Sequence, residues 1–344
     1  MRSALPLLAL VLVAPALARA TTLPENDGPF TATSEVDTIQ VGPSQVQATV
    51  CLPSTSSPKP VIAIATNLAE GRDVLQGLCL HLATWGFVVA VPDLGFTNTD
   101  ATSIGQTLLD ALTFLERENL RDGSRFQGKV DSAHRGVIGF NTGAMGAAWA
   151  ATQDDTLSVA VLLDTQDLNG QARNAATQIV HVPTLLLNAD PGVCNSNDSA
   201  ASVYDELAGP RSTLHIVSAS DCDAEWPASQ TCQLGCLQAH PVQSSYFARF
   251  TTAYAAFFVG CDPTMATYVS GPALQDLVAA RNVDRLDQNA LPTTCGPYVI
   301  LDAGAPAAAD AGAPSSGCGS TGAVPLAPLA VLALALALGL ARRR

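Results

Sequence analysis

Cations are scarce in this chain. Lys59 and Lys129 are the only lysines, and 17 basic residues in all stand against 30 acidic ones. A surface of that sign repels a phosphate backbone, so nucleic acid is excluded as a partner. No internal repeat divides the 344 residues. Gly139, Gly143 and Gly146 do not have the spacing of a G-x-G-x-x-G fingerprint, and at least two earlier strands precede them, which argues against a dinucleotide site. Asp221, Asp223 and Glu225 lie close together without a calcium-loop glycine or regular ligand spacing, so a solvated acidic loop is the better reading. No cofactor and no metal are expected.

Long apolar runs occur at the two ends. Residues 1–20 combine Arg2, an apolar stretch from Leu5 to Leu17 and a small-residue site at Ala18-Arg19-Ala20, the pattern of a secretory signal. Val324 to Ala341 is apolar and is followed by Arg342-Arg343-Arg344, close to the ~20 residues that span a bilayer, with the arginines on the cytoplasmic side. Before it come an Ala/Pro/Gly linker at 301–317 and Gly317-Cys318-Gly319. Cysteine, apolar span and arginine cluster together, 318–344, resemble the myxobacterial type of C-terminal sorting tag. That resemblance implies cleavage near Cys318 and a lipid anchor on it; an uncleaved tail anchor is the alternative. Either way the membrane is a partner and the folded part sits at the cell envelope, with release from it left open. Without the five terminal arginines, 12 basic residues face 30 acidic ones, a formal charge near −18.

Cys51, Cys79, Cys194, Cys222, Cys232, Cys236, Cys261 and Cys295 form an even set once Cys318 is assigned to the tag. In an exported chain they are expected to pair as disulfides, although eight cysteines allow 105 connectivities. Cys261 with Cys295 is the one pairing expected, because both follow the last core helix. Cys232-x-x-x-Cys236-x-x-x-His240 has a spacing that suits a soft metal on one helical face, but export favours oxidised thiols. The same oxidation argues against a Cys194 nucleophile.

Residues 21–300 suit one large domain. Val36 to Val41 and Gln45 to Val50 alternate as an antiparallel pair around Gly42-Pro43. Val61–Thr66, Phe87–Val91, Gly136–Phe140, Val159–Leu163, Pro183–Asn188 and Leu214–Val217 are short apolar runs, as expected of parallel strands covered on both faces. Helical stretches separate them at Arg72–Trp85, Ser103–Glu118, Ala144–Thr152, Ala200–Leu207 and Gln243–Phe258. Alternation of this kind predicts an α/β fold with a mostly parallel sheet, helices on both faces and ligands at the carboxyl ends of the strands.

Gly139-Phe140-Asn141-Thr142-Gly143 has the frame of a G-x-S-x-G elbow, with asparagine where the nucleophile would stand. Together with Pro60 to Ala65, Gly71-Arg72-Asp73, Leu82 to Asp93, Leu163 to Asp167 and Ser218 to Glu225, the elbow makes the chain resemble the α/β-hydrolase superfamily. The likeness is to its exported polyester-hydrolase, chlorophyllase-like and dienelactone-hydrolase-like branch, from about Val61 to Phe258. The resemblance implies a catalytic acid at Asp164, Asp167 or Asp190. It also implies oxyanion donors at Thr142 and in the Asn67 to Gly71 turn, Asn67 and Leu68 among them, although the Pro-Gly of that turn is missing. It puts histidine where this chain has Asp221. Loss of serine or histidine from such a triad costs about 10⁶ in turnover, leaving about 10³ to 10⁴ over water.

The expectation is therefore an exported, envelope-anchored α/β-hydrolase-fold protein that is inactive as a serine hydrolase and retains a pocket for an ester-like or apolar small molecule. One alternative is a working carboxylic-ester hydrolase with a different constellation, using Asp164 or Asp167 with His240 and a water or Thr142. The other is a disulfide-stiffened interaction domain. Thr142 is expected to point away from the crevice, and oligomeric state is left open.

Overall fold

The computed structural model describes residues 22–295 apart from 69, 96 and 97. The signal-like segment 1–20, the linker 301–317 and the tag with Cys318 lie outside the described residues.

Strands β1 (Ala32–Val41) and β2 (Ser44–Pro53) form the expected antiparallel hairpin, with Val41 opposite Ser44. The parallel set consists of β3 (Lys59–Ala65), β4 (Val88–Pro92), β5 (Val130–Phe140), β6 (Val159–Leu163), β7 (Thr184–Asn188) and β8 (Arg211–Ile216). An edge strand, β9 (Val283–Asn289), pairs antiparallel with β8. The order across the sheet is β1-β2-β4-β3-β5-β6-β7-β8-β9.

The continuous apolar runs are explained by burial on both sides. Ile62, Ile64, Val89, Ile138 and Val161 enter one core, while Val61, Ala63, Val88, Val137 and Ala160 enter the other, as the two-residue period of a strand requires. The first core is covered by α1 (Gln76–Thr84) and, much later in the chain, by a helix that supplies Phe247, Phe250 and Tyr254. The second is covered by α2 (Ala101–Leu120), α3 (Thr142–Gln153), α4 (Gln171–Ala176) and α5 (Ser199–Glu206). Helix α2 begins where Asp100 accepts a hydrogen bond from the Ser103 amide at 3.0 Å, which satisfies one of the four free amides of a helix start.

Further on lie α6 (Gln230–Gly235), the aromatic-bearing α7 (Pro241–Tyr254), α8 (Ala266–Val269) and α9 (Pro272–Ala279). Helices α4, α6, α8 and α9 and strand β9 go beyond the elements read from the sequence. The helix expected at Arg72–Trp85 opens with a 3₁₀ turn at Arg72–Leu75, and the one expected at Gln243–Phe258 ends in a π turn at Ala255–Val259.

Four disulfides are present: Cys51–Cys79, Cys194–Cys236, Cys222–Cys232 and Cys261–Cys295. They close loops of 10 to 42 residues, each worth about 2–4 kcal/mol.

Candidate active site

The elbow lies between β5 and α3 and keeps its strained shape. Asn141 takes φ 53° and ψ −112°, a sparsely populated conformation that costs about 1–3 kcal/mol in a non-glycine residue. Both flanking glycines are sterically required. A Cβ on Gly139 would lie 2.3 Å from the Gly143 carbonyl oxygen, and one on Gly143 would lie 2.4 Å from that of Thr66. The frame of a nucleophile turn is thus intact around a side chain that cannot attack.

What Asn141 does instead is visible in its partners. It is 1 % exposed. Its Nδ2 group donates to Asp221 Oδ1 at 2.6 Å and to the Cys194 carbonyl at 2.8 Å, while Oδ1 has no partner. Asp221 is also within hydrogen-bond reach of Asp164. Burial, then the neighbouring charge of Asp164, pushes Asp221 well above the usual carboxylate range. The shift favours the protonated carboxyl of Asp221, the form that is able to donate to Asp164. Asp164 is itself raised by burial, and it accepts from the Ala189 amide at 2.9 Å and from Asn195 Nδ2 at 3.0 Å. Asn141, Asp221 and Asp164 make a hydrogen-bonded line in the order of a serine-hydrolase triad, with neither hydroxyl nor imidazole.

The turn expected to supply oxyanion donors is also occupied from within. Thr142 Oγ1 accepts from the Leu68 amide at 2.7 Å and donates to Asn67 Oδ1 at 3.2 Å. Asn67 Oδ1 takes the same Leu68 amide at 2.7 Å. The Thr142 hydroxyl is buried and points at the turn after β3. An amide held this way is not free for a carbonyl oxygen.

Of the three acid candidates, only Asp164 reaches the line. Asp167 accepts from the Ala172 amide at 2.7 Å and from Arg173 Nε at 2.9 Å, so it holds the start of α4. Asp190 accepts from His215 Nε2 at 2.8 Å and from the Ser218 amide at 3.2 Å. His215 in turn meets Asp284 on β9 through Nδ1 at 2.5 Å. His240 does not approach Asp164. Its Nδ1 lies 3.3 Å from Asp223 Oδ2, because the start of α7 packs over that carboxylate. Asp221, Asp223 and Glu225 do not converge: Asp223 accepts from Ser220, Ser244 and the His240 amide, and Glu225 faces Glu70. Cys232 and Cys236, the thiols of the possible metal spacing, belong to two different disulfides.

Asn195 and Glu70 are not singled out in the sequence, and Glu225 is read there only as part of a solvated acidic loop. Asn195 is 2 % exposed and bridges Asp164 to the Asp190 carbonyl, the latter at 3.0 Å. Glu70 and Glu225 form a second carboxyl pair near Asp221. Burial, then the hydrogen bond and charge of Glu225, pushes Glu70 up to about 9.

A cavity of about 440 Å³ opens beside this line, between the 190–195 loop, the 218–221 loop and the segment after α6. Asp190, Asp221 and His240 line it, whereas Asn141 is not among its lining residues. The Cys194–Cys236 disulfide joins two of its walls, and the Cys194 carbonyl covers Asn141.

A parallel sheet that carries a strained G-x-N-x-G elbow at the end of its fifth strand defines an α/β-hydrolase-type fold. Within that class the chain belongs to the PET hydrolase-like (PETase) family, whose model matches residues 14–265. It is 30 % identical over 129 residues to a bis(hydroxyethyl) terephthalate hydrolase of Streptomyces coelicolor, an overlap that spans 38 % of each chain.

Proposed function

We propose that this chain is a member of an ester-hydrolase family that no longer hydrolyses esters at the elbow and serves instead as an exported, envelope-anchored binding protein. One observation carries the reading. The amide that replaces the nucleophile is buried and committed through both protons to Asp221 and to the Cys194 carbonyl. The occupied Leu68 amide supports it, since a working site needs that donor free. Export agrees with four disulfides in the folded part, and anchoring rests on the sequence of residues 318–344.

The test is turnover of short-chain and medium-chain p-nitrophenyl esters by the wild type, by Asn141→Ala and by Asn141→Ser with Asp221→His. The expected result is silence from the first two and measurable turnover from the double variant. Wild-type turnover that persists in Asn141→Ala would refute the proposal.

A second reading moves catalysis rather than abolishing it. His240 is oriented by the buried Asp223 and faces the cavity with half of its side chain exposed, an arrangement that suits a general base acting on water. Turnover that is indifferent to Asn141→Ala and lost in His240→Gln would favour it.

A further inference from the structure

We propose that the cavity beside the elbow is a binding site for a small organic cation, an ammonium group on an apolar body. This rests on the reading of the chain as a binding protein. The cavity's volume of about 440 Å³ falls within the ~300–1,000 Å³ typical of small-molecule sites. Pro191, Val193, Ala219 and Leu237 give it apolar walls. Val193 and Leu237 are 78 % and 75 % exposed at its rim, so the apolar surface is open to a ligand rather than filled by the protein.

The charge of the cavity has one sign. Asp190 supplies a carboxylate to its lining, Asp221 there is held toward its neutral form by burial, no lysine or arginine lines it, and the basic side chain that does, His240, is tied to Asp223. Asp190 is positioned for an incoming donor. His215 and the Ser218 amide both bond to its Oδ1, and Oδ2 has no partner among the described residues. A carboxylate fixed through one oxygen and open at the other is an acceptor for a charge-assisted hydrogen bond. The acidic excess of the chain draws cations toward this face and repels carboxylates. A free acid, the product of ester hydrolysis, is therefore disfavoured here.

The experiment is calorimetric titration of the purified protein, near neutral pH and at low ionic strength, with three probes of equal size: benzylamine, benzyl alcohol and benzoate. Two variants accompany it. Asp190→Asn keeps the Oδ1 acceptor for His215 and Ser218 while removing the charge. Val193→Arg places a guanidinium at an exposed rim position where folding is not at risk. Benzylammonium is expected to bind at one site at least about tenfold more tightly than benzyl alcohol, benzoate more weakly still, and either variant to weaken the cation about tenfold or more. Equal binding of amine and alcohol would overturn the inference, as would cation binding that survives Val193→Arg. Ester turnover by the wild type together with selective cation binding would overturn the proposed function and leave this inference standing. Absent turnover with no cation preference would do the reverse.

Discussion

Glu70 offers a direct test of the electrostatics beneath the elbow. Its carboxyl is raised from 4.5 to about 9, first by burial and then by Glu225. The folded protein therefore holds a proton that the unfolded chain releases near pH 4.5. The stability this group contributes is complete below about pH 4.5 and is lost as the pH rises toward 9. Over about 4.5 pH units, at 1.36 kcal/mol per unit, the ceiling is about 6 kcal/mol. Relaxation around the carboxyl pair and partial screening by water reduce the figure to roughly 2 kcal/mol. Glu70→Gln removes the titration while its amide still donates to Glu225. The variant should match the wild type within about 0.5 kcal/mol at pH 4.5 and exceed it by roughly 2 kcal/mol at pH 9. Urea denaturation across that range measures the difference. A gap between the two proteins that stays constant with pH would refute the assignment of a shared proton to Glu70 and Glu225.

Other outcomes follow from the same network. Asp221→Asn can donate to Asp164 as the protonated acid does, so it should cost little in mild acid and gain on the wild type as pH rises, read by thermal melts at two pH values. Asn195→Ala leaves the buried Asp164 short of a donor and should cost about 2 kcal/mol, measured by urea denaturation. Thr142→Ala with Asn67→Ala, added to Asn141→Ser and Asp221→His, frees the Leu68 amide from both of its acceptors and should raise p-nitrophenyl ester turnover at least about tenfold; an unchanged rate would mean that this amide is not the oxyanion donor. Gly143→Ala should lose at least about 3 kcal/mol or fail to fold, because its Cβ has nowhere to go, and circular dichroism of the purified variant decides between these.

The legible parts of the fold were those with local signatures. Six apolar runs became the six parallel strands because each is buried on both faces, and the elbow announced itself through two glycines whose spacing is a steric requirement. Strand β9 was not legible because Val283-Asp284-Arg285-Leu286-Asp287 is mostly polar, as suits an edge strand whose residues face solvent. The short helix α6 is fixed by the disulfides of Cys232 and Cys236 rather than by its own periodicity. At the site, Asn141, Asp164 and Asp221 could be placed from the order of elements, since each follows a strand at the same sheet edge. Glu70 and Glu225, far apart in the chain, could not be paired, because nothing in a sequence marks two carboxyls that share a proton. Choosing among Asp164, Asp167 and Asp190 also required the structure. All three follow strands, and only the partners of Asp167 and Asp190 show that they are committed elsewhere.

Asn141 and Asp221 are coupled by their protons. An asparagine amide has two hydrogens, and both are used here, one for Asp221 and one for the Cys194 carbonyl that covers the elbow. A serine at 141 has one hydrogen and would leave either the cover or the acid unpaired, at a cost of about 1–3 kcal/mol. Asp221 in turn must accept from Asn141 and donate to Asp164, which a protonated carboxylic acid does with its two oxygens. A neutral imidazole could do the same only with its two nitrogens aligned on both partners. The polar groups at the elbow thus form one hydrogen-bonded set, and the set bonds to the 190–195 loop, whose other face forms a wall of the cavity. Closing the elbow and shaping the cavity are done by the same loop, so a serine at 141 would disturb both.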